Sequence, residues 1–184
     1  MFERGNKSMN KYFVVLFLFV VSVVLPGCTS DIVDTPIYDG NPITIGIIGD
    51  SPVVREENVR FEKISFSQLE EVDSSSGYDA IFITKENLSE AADAIYAKTY
   101  RTAGVPFFFI ESEKSYLPFI NEERSYEELP DLGAGNYVTG YLQKGENPRI
   151  WGYGLYNDEL NNANIQEVYT RIFKTINQMK TGIN

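Results

Sequence analysis

The residues best suited to chemistry in this chain follow three apolar runs. Asp50 and Ser51 follow Ile43-Thr44-Ile45-Gly46-Ile47-Ile48; Thr84 and Lys85 follow Tyr78-Asp79-Ala80-Ile81-Phe82-Ile83; Glu111 and Ser112 follow Val105-Pro106-Phe107-Phe108-Phe109-Ile110. If the runs are buried parallel strands, the three pairs share one edge. Ligands of open parallel sheets bind beyond the carboxyl ends of the strands. The pairs offer two carboxylates, three hydroxyls and one ammonium, a set suited to a small polar solute. The carboxylates alone suit a hard divalent cation such as Ca²⁺ or Mg²⁺. Ordinary turns and solvated loops compete with either reading, because any α/β domain places polar groups at its strand ends.

A second group is aromatic. Tyr137, Tyr141, Trp151, Tyr153 and Tyr156 fall on two late strands, interleaved with Gly140, Gly152 and Gly154. Period-two alternation puts Trp151, Tyr153 and Leu155 on one face and Ile150, Gly152 and Gly154 on the other. Left exposed, the aromatic face would stack a glycan ring or a protein surface. Packed, it would meet the C-terminal helix, with the glycines where the backbone is crowded. The enrichment of aromatics in strands favours packing.

Gly49-Asp50-Ser51 resembles the nucleophile block of GDS-type esterases over three residues. In that family a histidine takes the serine proton, and this chain contains no histidine, so the base is missing. Asp50 and Ser51 then read as a cap or turn at a strand exit. Gly46 and Gly49 are too few for a phosphate-cradling loop.

The only cysteine, Cys28, ends an N-terminal apolar run. From Tyr12 to Leu25 the run holds 14 residues, apolar except for Ser22 and the Tyr12 hydroxyl. As a helix it would reach roughly 21 Å, short of the ~30 Å hydrocarbon core of a bilayer. It has the length of the apolar region of a secretory signal, and Arg4, Lys7 and Lys11 supply the positive leading segment, whether translation starts at Met1 or Met9. Leu25-Pro26-Gly27-Cys28 resembles the lipobox of bacterial lipoproteins, with Pro26 in place of the commoner small residue. That resemblance implies cleavage between Gly27 and Cys28, diacylglycerol on the Cys28 thiol, acylation of the freed amine by a chain such as palmitate, and lipid anchoring on the extracytoplasmic face of the cell membrane. One acyl chain binds a membrane marginally, whereas two or three at about 0.8 kcal/mol per buried methylene anchor it stably. A lipidated Cys28 leaves no thiol for catalysis, disulfides or metal ligation.

Without residues 1–27 the chain has 157 residues, 13 basic and 25 acidic, for a net charge of −12. Such a chain is repelled by anionic lipid surfaces, so lipid rather than charge would attach it. No Lys/Arg cluster is present to neutralise phosphates, which excludes nucleic acid as a partner. Residues 28–42, polar and acidic with Pro36 and Pro42, read as a flexible tether. Residues 43–184 suit one domain with a single sizeable core.

The remaining elements follow from periodicity. Residues 60–66 read as a half-buried strand near an edge, residues 68–72 as a short helix capped by Ser67, and residues 85–104 as one helix with Leu88, Ala91, Ala92, Ile95 and Thr99 on its apolar face. Residues 115–134 read as a loop with short turns near 126–129. Residues 136–143 and 149–156 form an antiparallel pair around a loop at 144–148. Residues 161–180 form an amphipathic helix with an apolar stripe of Ile165, Val168, Tyr169, Ile172, Phe173, Ile176 and Met179. Strands alternating with helices predict an α/β fold: a mostly parallel sheet flanked by helices, a late antiparallel hairpin and a C-terminal helix. With no complete catalytic motif, a non-catalytic ligand-binding or interaction module is expected. The alternatives are a carboxylate- or metal-dependent hydrolase or transferase at the strand ends, or a purely structural envelope protein.

Overall fold

The computed structural model describes residues 35–133 and 135–182. Gly27, Cys28, the apolar run and the first part of the tether lie outside the described residues.

Six strands form one sheet in the order β2-β1-β3-β4-β5-β6. They are β1 (Ile43–Ile48), β2 (Val59–Lys63), β3 (Ala80–Ile83), β4 (Phe107–Ile110), β5 (Val138–Lys144) and β6 (Asn147–Tyr153). The first four pair in parallel. The last two continue the sheet as an antiparallel hairpin beside β4. The α/β fold expected from the sequence is therefore present.

The strands β1, β3 and β4 are nearly continuous apolar runs because both faces of the sheet are covered. Ile81, Ile83, Phe107 and Phe109 point into one core, and Ala80, Phe82, Phe108 and Ile110 into the other. Four short helices lie among the first group: α1 (Phe66–Leu69), α2 (Leu88–Ala91), α3 (Ala94–Thr102) and α4 (Leu117–Ile120). The second face is covered by α5 (Asn162–Thr181). Its predicted stripe is correct: Val168, Tyr169, Ile172, Phe173 and Ile176 are buried, with Ile165 and Met179 partly so. Phe173 stacks nearly parallel to Phe82, 6.5 Å away.

The connection from β1 to β2 runs on the α5 face, where Val54 joins the core and Arg55 bonds to Thr170. The connections from β2 to β3 and from β3 to β4 carry α1, α2 and α3 on the other face. The winding therefore reverses between β1 and β3, the kind of switch point beside which open α/β sheets bind ligands.

Several local expectations are corrected. The helix over residues 85–104 is broken into a 3-10 turn, Lys85–Asn87, then α2 and α3, with Asp93 extended between them (φ −64°, ψ 138°). Asn, Ser and Asp, which compete with helical hydrogen bonding, crowd this stretch. The break rotates the second half, so Tyr96, Ala97 and Tyr100 are buried and Ile95 is 64% exposed. Gly104, at φ 73°, ends α3 as expected of a C′ glycine. The cap of α1 is Ser65, not Ser67, because only Ser65 can form the reciprocal capping box with Gln68. The helix α4 lies in a segment expected to be mostly loop. The late hairpin turns on two residues, Gly145 and Glu146, since Lys144 and Asn147 still pair.

Residues 35–42, expected as the end of the tether, lie against the domain. Tyr38 is 4% exposed and packs on Phe173. Its N–H donates to Glu56. Lys174 and Lys180 of α5 donate to the carbonyls of Pro36 and Pro42 at 3.2 and 3.0 Å. The proline-rich polar composition signalled irregular backbone correctly, but one buried aromatic and the α5 lysines fix that backbone in place. A polar relay lies beneath it. Arg55 donates to Thr170 Oγ1 at 2.8 Å, and the Thr170 hydroxyl donates to the buried Glu56 carboxylate.

Candidate functional site

The carboxyl ends of β1, β3 and β4 bring Asp50, Thr84 and Glu111 around one groove of about 590 Å³. Gly49 makes the first exit possible. Its φ is 110°, and a Cβ there would lie 1.8 Å from Thr84 Oγ1. Only glycine allows β1 to leave the sheet this close to β3. Thr84 is held in place: its hydroxyl meets Glu86 Oε1 at 2.5 Å and accepts from Asn87 Nδ2 at 3.1 Å. Glu111 leaves β4 in the left-handed region, at φ 54°.

The other strand-end residues are not brought into this groove. Ser51 is exposed and does not line it. Lys85 turns to Glu113, 3.9 Å away. Ser112 is buried and spent on a turn: its hydroxyl donates to the Lys114 carbonyl at 3.1 Å and accepts the Lys114 N–H at 3.3 Å. The expected set of two carboxylates, three hydroxyls and one ammonium thus shrinks to Asp50, Thr84 and Glu111. The turn hydrogen bonds account for the loss of Ser112 and the ion pair for that of Lys85, while Ser51 stays exposed outside the groove.

Sequence reasoning missed several groove residues. Glu86 and Val53 come from the loops after β3 and β1, Tyr137 from the start of β5, and Tyr169, Asn162 and Gln166 from α5. Tyr137 enters because β5 is antiparallel, so its beginning lies at the edge where the parallel strands end. That placement was available from the hairpin reading once β5 was set beside β4. Burial pushes the Tyr137 phenol well above its ordinary value, and the Glu111 carboxylate, to which it hydrogen-bonds, pushes it further. Burial likewise raises the Tyr169 phenol, with Tyr137 and Glu111 adding to the effect. Both phenols are therefore protonated donors at neutral pH, next to a carboxylate acceptor.

A second groove of about 410 Å³ adjoins this one and shares Tyr137. It is lined by Glu113, Asp131, Gly133, Gly135, Asn136, Leu155 and Asp158. The loop bearing Asp131 is tied down by Lys114, which donates to the Leu129 carbonyl and to Asp131 Oδ1, both at 2.6 Å. A third groove, about 510 Å³, opens at the opposite end of the sheet, between the β5–β6 turn and the end of α5. It holds none of the predicted residues, and its Lys180 is paired with Asp79 at 2.9 Å.

Trp151 and Tyr153 pack on the α5 side, the reading favoured from the sequence, and form no exposed stacking face. Tyr153 is buried, donates its hydroxyl to Thr175 of α5 at 2.9 Å, and lies beneath the Arg171 guanidinium. Trp151 is half-buried against Phe108, with ring centroids 6.0 Å apart. Gly140 makes room for both rings, since a Cβ there would lie 2.9 Å from Phe108 and 3.1 Å from Trp151. Trp151 and Tyr153 are therefore packing residues on the α5 side. Among the described residues, no three acidic side chains converge in a way that could hold a metal ion. Among them, no helix is long and apolar enough to cross a membrane. Comparison with protein-family models, curated proteins and solved structures gives no match to this chain.

Proposed function

We propose that this chain is a lipid-anchored, extracytoplasmic binding module of a bacterial cell membrane, non-catalytic, with its ligand seated at the carboxyl ends of β1, β3 and β4. The observation that carries the binding half is the convergence of Asp50, Thr84, Glu111, Tyr137 and Tyr169 on one groove beside the switch point between β1 and β3. Protonated phenols beside carboxylates can both donate to and accept from a bound group. The anchoring half rests on the signal-like run and the lipobox resemblance at Leu25–Cys28.

Each half has its own test. Cys28→Ala should abolish incorporation of labelled lipid and leave an unprocessed precursor. A variant that still matures and fractionates with the membrane would contradict the anchor. For the groove, a panel of sugars, amino acids, amines and short peptides is screened by thermal shift. Any ligand found should lose its effect in Glu111→Gln or Asp50→Asn. Ligands that act equally on both variants would place binding elsewhere.

A further inference from the structure

A sheet that ends in an unprotected strand is a template for another strand, and natural proteins blunt such edges with charge, proline or short length. The two edges of this sheet differ. β2 carries Arg60, Glu62 and Lys63 among its five residues, with Arg60 and Glu62 paired at 2.6 Å. β6 is seven residues long, pairs with β5 alone, and holds Arg149 as its one charge. The phase of the ladder decides what its outer side presents. Ile81 N–H donates to the Pro106 carbonyl, so even-numbered residues of β4 bond to β3 and odd ones to β5. Tyr141 and Thr139, the partners of Phe107 and Phe109, are thereby spent on β4. That leaves Gly140 and Leu142 to bond to Trp151 and Arg149 of β6. The Tyr153 carbonyl, which accepts from Tyr137 N–H, faces β5 in the same phase. Pro148, Ile150 and Gly152 therefore point their backbone groups out of the sheet. Pro148 blunts the hairpin end, but the N–H and C=O groups of Ile150 and Gly152 have no partner among the described residues. Around them Ile150 is 46% exposed, Gly152 is exposed and Trp151 is half-buried.

We propose that this edge joins two copies of the chain, β6 to β6 and antiparallel, about a two-fold axis at Trp151, so that the two sheets become one. In this register Ile150 lies opposite Gly152 of the other copy, and each such pair exchanges N–H and C=O bonds, about four bonds in all. The glycine leaves room for the isoleucine. The two Trp151 side chains meet at the axis, in a wide pair whose Cα atoms lie about 4.5 Å apart. Pro148, which has no donor, falls opposite Gly154, whose carbonyl already accepts from Arg171 Nη2 at 2.6 Å. The missing donor thus meets an acceptor that needs none. The edge is complementary to itself, as a two-fold interface must be.

Charge favours the same occupant. Without residues 1–27 the chain carries a net charge of −12, yet residues 138–153 hold Lys144 and Arg149 against Glu146 alone. Two copies therefore repel each other least along this hairpin. Antiparallel pairing carries each hairpin tip, with Lys144, toward Asp158 and Glu159 just beyond the other copy's β6. None of these three makes an ion pair among the described residues. A two-fold axis between antiparallel strands stands perpendicular to the sheet, so both α5 helices lie on one face of the joined sheet. Residues 35–42 run along α5 in each copy, so both begin from that same face. Two lipid anchors, as proposed above, can then share one bilayer, and confinement to it raises the effective concentration of each copy at the other's edge. No residue of β6 lines the groove at the ends of β1, β3 and β4, so the interface stands apart from it.

The test uses the full-length chain in neutral detergent micelles, with molar mass followed by sedimentation over a dilution series. The parent should pass from dimer to monomer on dilution, and the emission of Trp151, the only tryptophan, should shift to the red in step. Ile150→Pro removes an outward donor in the phase that already holds Pro148, and should weaken the dimer at least about tenfold with the circular dichroism unchanged. Ile150→Lys places a charge on the edge without touching the backbone and should do the same. Arg60→Gln/Glu62→Gln at the other edge should change it less than about twofold. With the parent as the blank for Cys28, Trp151→Cys should cross-link two copies under mild oxidation. Ile150→Cys, roughly 8 Å from its counterpart across the axis, should not. A parent that stays monomeric at every concentration, or a dimer unaffected by Ile150→Lys, would overturn the proposal. So would a Trp151 emission indifferent to dilution, or cross-linking at Ile150→Cys in place of Trp151→Cys.

Discussion

Replacing Thr170 with valine removes one hydroxyl and almost no volume. That hydroxyl lies in the buried face of α5, accepts from Arg55 Nη2 at 2.8 Å and donates to the Glu56 carboxylate. Glu56 also accepts the Tyr38 N–H at 3.4 Å and the Arg55 N–H at 3.0 Å, so the relay ties residues 35–42, the β1–β2 connection and α5 together. Arg55 Nε is already buried without a partner, so little hydrogen bonding is held in reserve at that end. Hydrogen bonds to charged groups contribute about 1.5–3 kcal/mol each. Two are lost, but Arg55 is half-exposed and water can replace part of its share, which leaves a cost of about 2–4 kcal/mol. In a domain of this size that lowers Tm by about 4–16 °C. Thr170→Ser keeps the hydroxyl and should lose no more than about 1.5 kcal/mol. Urea unfolding followed by circular dichroism measures both variants. If Thr170→Val stays within about 0.5 kcal/mol of the parent, or Thr170→Ser is equally damaging, the hydroxyl does not bridge these elements.

Three further outcomes follow from the same structure. Gly49→Ala forces a side chain into a φ of 110° and onto Thr84 Oγ1; it should cost about 2 kcal/mol or more in urea unfolding and weaken any ligand of the first groove. Tyr100, Tyr137, Tyr153 and Tyr169 all have phenols raised above 10.0 in the folded chain, burial being the largest cause in each. Above pH 10.0 the unfolded chain therefore binds fewer protons than the folded one. Their contribution is complete below that pH and is lost as pH rises through the folded values. The urea midpoint should thus fall steeply in alkali. Glu111→Gln should lower the Tyr137 phenol, and the Tyr169 phenol with it, in an ultraviolet titration while burial keeps both above the ordinary value; an unchanged titration would contradict the Tyr137–Glu111 contact.

The central strands were legible because β1, β3 and β4 are buried on both faces and read as unbroken apolar runs. The helix α5 was legible because its stripe keeps one phase for its whole length. The helix broken at Asp93 was not, since Leu88 to Thr99 fits a single helical face until the break rotates it. The edge was half legible. Asp50, Thr84 and Glu111 follow directly from strand ends in a parallel sheet. Ser112 and Lys85 have the right position, but local partners take up their polar groups, a competition that residue type does not reveal. Tyr137 and Tyr169 arrive from an antiparallel strand and from the opposite layer, so only the three-dimensional order of the sheet joins them to Glu111. Tyr38 escaped because a tether is recognised by its average composition, and a single aromatic residue was enough to pin this one.

Binding at the carboxyl edge of the sheet, as proposed above, is open to direct measurement. The most direct measurement is native mass spectrometry of the protein isolated from its own host, followed by hydrogen exchange before and after the retained molecule is stripped with salt. Binding at this edge predicts a bound species whose removal raises exchange at residues 49–54, 84–87, 111–113, 135–137 and 155–162. Protection confined to the opposite end of the sheet, around Gly104, Lys144 and Lys180, would contradict it.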